Sequence, residues 1–484
     1  MAPHATDTSI SLGLAERPKE SQAETRNGYQ SLPVASPCLS YWHRTTRAWP
    51  LLNHNEDDPV PATAKYCIIG SGLSGSVTAW SLVESGVAGH DILIIEAREA
   101  VSGASGRNAG HCRPDAFRGF AAYARIHGAE QAKKIIENEK LVFKKVDDFV
   151  EKHKVPCDWN STTTFDVCLT EEFAAYEKGS FEAYQAAGGD VSQVQFFEGE
   201  EAKARTKVKD AVAAYEWPAG SAHPAKLAQW ILSELVGRGV QLWTHCPAIG
   251  IAEHAKDSAA RWDLQTPRGT VSAETIIHCT NAYSAHLLPE LSTFVTPNRA
   301  QAHSFVPTKP LSGANALRST MSLRYSLKHF FSFIQRLGDG TVVFGTSRDN
   351  PEWSQAARES IIGFDDTAYN QEAAESAARA FRTLFPDEGS KASRHGEGAD
   401  HYWSGIIAMT PDSVPMVGAI EGKEGQYICA GHNGHGMARI WTCAPGAVKL
   451  MLGESWEATG LPECFQYSQA RLDKAAKQNI KSVW

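Results

Sequence analysis

The chain has 484 residues, 42% of them hydrophobic and 21% charged, enough for two or three domain-sized units around a large core. Its formal charge of −8 excludes the surplus of cations that a nucleic-acid partner demands, and no apolar run approaches the roughly 20 residues of a bilayer span. The ten cysteines lack any CxxC pair and the N-terminus lacks a signal-peptide pattern, which predicts reduced thiols, no metal centre and a cytoplasmic protein.

Residues 1–37 are polar and aperiodic, the composition of a disordered tail. Residues 38–62 carry Tyr41, Trp42, Trp49, Leu51 and Leu52 and are expected to pack on the body as a leading segment. Lys65 to Ile69 then predicts a short buried strand, followed by Gly70-Ser71-Gly72-Leu73-Ser74-Gly75 and a helix to about Glu84. A second strand, Asp91 to Ile95, ends at Glu96.

Apolar spacing predicts helix over 121–151 and again near 171–187 and 198–205, a helical insertion. An amphipathic helix from His223 to Val236 leads into a strand from Val240 to Thr244. Two β-type runs between Phe330 and Gly345 flank Leu337-Gly338-Asp339-Gly340, a hairpin signal. Near the end come a strand, Gln426 to Ala430, a loop with Gly431, Gly434 and Gly436, and a helix from Met437 to Leu452 that Pro445 should interrupt.

The first of these units is a nucleotide site in full context. Gly70, Gly72 and Gly75 allow a tight turn, close approach of backbone to a pyrophosphate, and close packing of helix on strand. The helix N-terminus at Leu73 and Ser74 offers unpaired N–H groups and positive dipole. Glu96 follows Gly75 by 21 residues, where a carboxylate can accept both ribose hydroxyls, with Ala97 and Arg98 beside it. A negative charge there argues against a 2′-phosphate, although Arg98 leaves NADP open; the motif alone does not separate NAD from FAD.

The segment Ser102-Gly103-Ala104-Ser105-Gly106-Arg107-Asn108-Ala109-Gly110-His111 follows so soon, with residues so small, that backbone can approach a flat ring system, which favours FAD. Here the chain resembles the D-amino-acid-oxidase-like family of FAD-dependent oxidoreductases, and within it the glycine, sarcosine and γ-glutamylputrescine oxidase branch. His223-Pro224-Ala225-Lys226-Leu227, Ile276-Ile277-His278-Cys279-Thr280-Asn281-Ala282-Tyr283, Thr410-Pro411-Asp412-Ser413-Val414-Pro415-Met416-Val417-Gly418 and Gly431-His432-Asn433-Gly434-His435-Gly436-Met437 carry the same resemblance.

That resemblance implies an α/β fold: a glutathione-reductase-like Rossmann domain for FAD, of residues 63–112, 223–290 and 405–455. Inserted in it would be an α+β substrate domain of 113–222 and 291–404 with an antiparallel sheet, and 456–484 would be a C-terminal extension. It implies non-covalent FAD held by the residues already named and by Ala248, Ile249, Thr280, Asn281, Asp412, Gly434, His435, Gly436 and Met437. The last glycine loop would aim N–H donors at the pyrimidine edge, where reduction places negative charge.

The implied activity is oxidation of the C–N bond of a small amine or amino acid, with hydride passing to the flavin, an imine as product, and O2 returning the flavin to its oxidised state as H2O2 forms. No protein nucleophile is required. His111 is expected to orient substrate, to anchor the flavin covalently, or simply to hydrogen-bond. Tyr402 and Trp403 are expected to wall the ring, and Arg348 to supply a cation. Relatives keep a lysine near the flavin that assists oxygen reduction, whereas Thr341 to Arg348 contains none. An amino-acid substrate calls for an arginine to grip its carboxylate; the candidates are Arg299, Arg324, Arg336, Arg348 and Arg439. A flavin dehydrogenase with another acceptor, an NAD-dependent dehydrogenase, and a non-catalytic FAD-binding module are the competing readings.

Overall fold

The computed structural model describes residues 32–255, 259–347, 349–387 and 394–483. Two sheets organise the chain. The first runs in the order Met416–Ala419, Gln426–Ala430, Gly269–His278, Thr63–Ile69, Ile92–Ile95, Gln241–Trp243. From Gln426–Ala430 onward every pairing along this path is parallel, and Met416–Ala419 is an antiparallel edge. Strands buried on both faces read as apolar runs, which is why Ile92–Ile95 is four consecutive buried aliphatics. The hairpin partners Gly250–Glu253 and Trp262–Thr266 extend from Gly269–His278.

The second sheet is mostly antiparallel, in the order Gly398–Met409, Thr296–Val306, Val342–Thr346, Phe330–Gln335, Thr320–Arg324, Asn160–Cys168, Ala213–Ser221, His111–Cys112. Only Thr320–Arg324 on Asn160–Cys168 is parallel along this path. The expected hairpin is present as Phe330–Gln335 and Val342–Thr346.

Three expectations need correction. The stretch 121–151 is two helices, Phe120–His127 and Ala129–His153, because Gly128 at φ 84° breaks the helical path. Residues 113–222 are not a purely helical piece: Asn160–Cys168, Gln195–Glu198 and Ala213–Ser221 are strands of the second sheet. Pro445 does not interrupt the last long helix, which runs from Ile440 to Met451. Residues 1–31 of the expected tail lie outside the described residues; Leu32 and Pro33 are packed against the interior.

Candidate active site

A cavity of about 410 Å³ lies between the sheets, where the parallel strands end and the mostly antiparallel sheet covers them. Ile69, Gly70, Gly72, Leu73 and Ser74 line it on the side of the first strand and helix, with Glu96, Ala97 and Arg98 beside them. Sequence dictates this turn sterically. A β-carbon at Gly75 would lie 1.9 Å from the Gly70 carbonyl oxygen, and Gly70 itself sits at φ 110°, where an L side chain is strained. The helix Leu73–Glu84 thus starts flush against the turn, with Leu73 N–H donating to Ser105 Oγ at 2.7 Å.

The Glu96 carboxylate accepts from Ser71 N–H and Ser71 Oγ at 3.0 and 2.7 Å and from Arg98 N–H at 3.1 Å, and it lines the cavity. Arg98 and Arg107 share the buried carboxylate of Asp366 at 3.0 and 3.6 Å. The two guanidiniums give this wall charged N–H donors of the kind a diphosphate accepts from. Asn281 Oδ1 accepts from Gly431 N–H at 3.1 Å, and Ser74 Oγ meets His432 Nε2 at 2.9 Å, so the last glycine loop is tied both to the Asn281 turn and to the first glycine turn. Gly434, His435, Gly436 and Met437 line the same cavity.

Several buried polar atoms on the lining have no hydrogen-bond partner among the described residues: both ring nitrogens of His111, His432 Nδ1, Tyr283 Oη and Arg98 Nε. Buried polar groups are nearly always paired. A ligand bearing phosphates, hydroxyls and a heterocycle with nitrogen and oxygen edges supplies partners of these kinds, so the residues present fit FAD.

The other wall belongs to the second sheet and carries a cluster of arginines. Arg113 Nη2, Arg118 Nη1 and Arg324 Nε converge on Asp166 at 2.7, 2.9 and 3.1 Å, and all three arginines line the cavity. Asp115 Oδ2 stands 3.7 Å from Arg118 Nη2. Burial and the charge of Asp166 push Glu177 up from the ordinary carboxylate value, against the pull of Arg118 and Arg324, and neither of its oxygens has a hydrogen-bond partner among the described residues. Three guanidiniums thus gather on one carboxylate, Asp166, with Asp115 beside Arg118. Burial and the crowding of Arg118 and Arg113 pull Arg324 down to about 9, against the opposing charge of Asp166.

Between the two walls stands His111. Burial, with Arg113 nearby, lowers it to about 3, so its ring is neutral.

The sequence expectations fare unevenly. The cavity lining contains Gly70, Gly72, Leu73, Ser74, Glu96, Ala97, Arg98, Ser105, Arg107, Asn108, Ala109, His111, Ala248, Thr280, Asn281, Gly434, His435, Gly436 and Met437. Ser71, Gly75, Gly106 and Gly110 lie just behind it and shape the turns. Ile249 is 47% exposed and off the lining.

Asp412 is also off the lining, its carboxylate gripped by Arg471 Nε and Nη2 at 2.6 and 3.0 Å. Trp403 forms no wall: it is fully buried and its indole N–H donates to Arg107 O at 2.7 Å. Tyr402 faces away from the cavity, against His303 and Tyr369. Arg348 lies outside the described residues. Among the other arginines, Arg299 bonds Ser360, Arg336 pairs with Asp158 and Asp339, Arg439 is buried on Glu139, and Arg324 alone lines the cavity.

Sequence reasoning missed Arg113, Arg118 and Asp166. Their signal was present: a lone acid in the strand Thr164-Phe165-Asp166-Val167-Cys168, and two arginines five apart just beyond the small-residue segment.

The family model for FAD dependent oxidoreductases matches residues 65–449. Among characterised sequences, the chain is 22% identical to a probable oxidoreductase OrdL of Haemophilus influenzae, over 81% of this chain and 83% of that protein. It is also 22% identical to γ-glutamylputrescine oxidoreductase of Escherichia coli, over 80% and 83%. The crystal structure of glycine oxidase from Geobacillus kaustophilus superposes with a TM-score of 0.63 at 18% identity, covering 82% of this chain and 96% of that one, a likeness of fold.

Proposed function

Since the chain belongs to the family of FAD-dependent oxidoreductases, we propose that it oxidises the C–N bond of an amino acid, or of an amine carrying another acidic group. Arg324 and Arg113, which line the cavity wall with their guanidiniums gathered on Asp166, carry this reading. A fixed guanidinium fork on a cavity wall matches a substrate carboxylate. Two of the similar proteins, glycine oxidase and γ-glutamylputrescine oxidoreductase, are named for amino-group substrates.

The domain arrangement we infer follows the two sheets except at its bounds, where His111–Cys112 and the end of Gly398–Met409 belong to the second sheet. A glutathione-reductase-like FAD domain takes residues 63–112, 223–290 and 405–455, and 113–222 with 291–404 form the substrate domain over it. FAD, held without a covalent bond, supplies the hydride acceptor. In this reading Arg324 and Arg113 hold the substrate carboxylate and so fix the α-carbon. His111, neutral at physiological pH, accepts a hydrogen bond from the amine but does not carry its proton away. Loss of hydride from the α-carbon leaves an imine, which water hydrolyses, and O2 takes the electrons as H2O2.

The absence of lysine from Thr341 to Arg348 favours a second reading, a dehydrogenase that passes electrons to another acceptor. The test is anaerobic bleaching of the bound flavin by amino acids and by their decarboxylated counterparts, followed by admission of air. Amino acids should bleach it and the decarboxylated amines should not. Equal bleaching by both sets overturns the carboxylate assignment, and slow recovery in air selects the dehydrogenase.

A further inference from the structure

The family match begins at residue 65, yet the segment before it reaches the cavity. Leu32 and Pro33 are on the lining. Ser40 caps the short helix Tyr41–Arg44 and donates its hydroxyl to Gly106 O at 2.6 Å. Trp42, fully buried, donates its indole N–H to Asn108 O at 2.6 Å. Trp403 holds the carbonyl between them, Arg107 O, at 2.7 Å. Three consecutive carbonyls of the small-residue segment are thus gripped by side chains from outside it.

A trans peptide is planar, with its N–H opposed to its C=O, and the described chain contains no cis bond. Fixing the three carbonyls therefore fixes the direction of the three following N–H groups. Those of Arg107 and Asn108 are both spent on Ala104 O, at 3.2 and 3.1 Å. The next, on Ala109, has no acceptor among the described residues, and Ala109 lines the cavity. Ala109 is half-buried, so this N–H is a donor left open on the cavity side rather than in a packed interior. Here the sequence places Trp42 behind it, and the β-carbon that Gly110 lacks would press on Trp42 Cζ2 at 3.3 Å.

We propose that Trp42 is a positioning residue for the cofactor: by holding the Asn108 carbonyl it aims the Ala109 N–H at an acceptor atom of bound FAD, so the leading segment completes the site. This rests on the cavity being the FAD site, as read above. Ser40 differs from Trp42 in one respect: the peptide N–H opposite its carbonyl is already spent inside the segment.

The test titrates FAD into flavin-stripped protein, followed by quenching of flavin fluorescence, with the visible spectrum of the bound flavin and the thermal midpoint of the apoprotein read in parallel. Trp42→Phe should weaken FAD about tenfold, as expected for one buried hydrogen bond, and shift the visible bands. Ser40→Ala should lower the apoprotein's midpoint yet keep Kd within about twofold of wild type. Ala109→Pro removes the amide hydrogen itself, leaves Trp42 intact, and should weaken FAD at least as much as Trp42→Phe; it stands in should that variant not fold. Wild-type Kd and spectrum in Trp42→Phe or Ala109→Pro overturn the inference, as does equal weakening in Ser40→Ala. A wild-type protein that takes up no FAD overturns the cofactor-site reading, and this inference with it.

Discussion

Glu139 and Arg439, 300 residues apart, form a fully buried pair with Nε and Oε1 2.8 Å apart. The same carboxylate accepts Asp115 N–H at 2.8 Å and lies 3.3 Å from His435 Nδ1. Through it the helix Ala129–His153 is joined both to the last glycine loop and to the turn that carries Arg118. Burial alone would raise Glu139, but the cations it faces, His435 and Arg439, bring it from 4.5 down to about 2.

Glu139→Gln strands the Arg439 cation in a dry site, so a loss of about 3–5 kcal/mol is expected, read as a lower urea midpoint. The pH sign follows from a folded value below the unfolded one. The carboxylate stabilises the wild type fully above about pH 4.5, and that contribution fades as pH falls toward 2. The variant should lack this part of the acid dependence.

Six buried histidines set a second, milder acid limit. Burial lowers His43, His278 and His303 to about 4 and His111, His223 and His432 to about 3, from 6.5. Each is favoured neutral in the fold, so its contribution is complete above pH 6.5 and is lost as pH falls toward the folded value. Each adds a slope of up to about 1.4 kcal/mol per pH unit. Denaturation at pH 7, 6 and 5 should show stability falling from below 6.5, before any carboxylate titrates.

The glycine turn predicts a graded result. Gly75→Ala forces a β-carbon to 1.9 Å from Gly70 O, rigid backbone on both sides, and the purified variant should carry almost no flavin. Gly72→Ala meets only Ser105 Oγ, at 3.0 Å, a hydroxyl that can rotate away. Its loss as acceptor for Leu73 N–H costs about 1 kcal/mol, roughly fivefold in FAD affinity. The flavin-to-protein absorbance ratio and a fluorescence titration check both.

Arg324→Met removes a guanidinium from the cavity wall but leaves Asp166 paired with Arg113 and Arg118. Truncating one side of a buried charge pair costs about 2–5 kcal/mol, at least about thirtyfold in kcat/KM for an amino acid. An amine without an acidic group should change less than about threefold. Equal losses for both substrates would assign Arg324 a purely structural task.

The glycine turn and the acid beside it were legible because their determinants are local. Gly70 to Gly75 and Glu96 lie within one strand–turn–helix–strand unit, and steric demands on glycine act over a few residues. The substrate half was not legible in that way. Arg324 was one of five equivalent arginines until the register of Thr320–Arg324 on Asn160–Cys168 set it two residues along from the partner of Asp166, Ser322. Trp403 and Tyr402 show the converse: an aromatic pair beside a flavin-edge motif reads as a wall, yet alternation along Gly398–Met409 sends adjacent side chains to opposite faces.

By itself, then, the order of residues determined the nucleotide turn, the parallel strands that feed it and the family, because these follow from neighbours in the chain. Which charges are left without a partner was decided only when segments hundreds of residues apart packed together. Charge compensation is a sum over everything within a few ångströms, and that distance is measured through the folded interior rather than along the backbone.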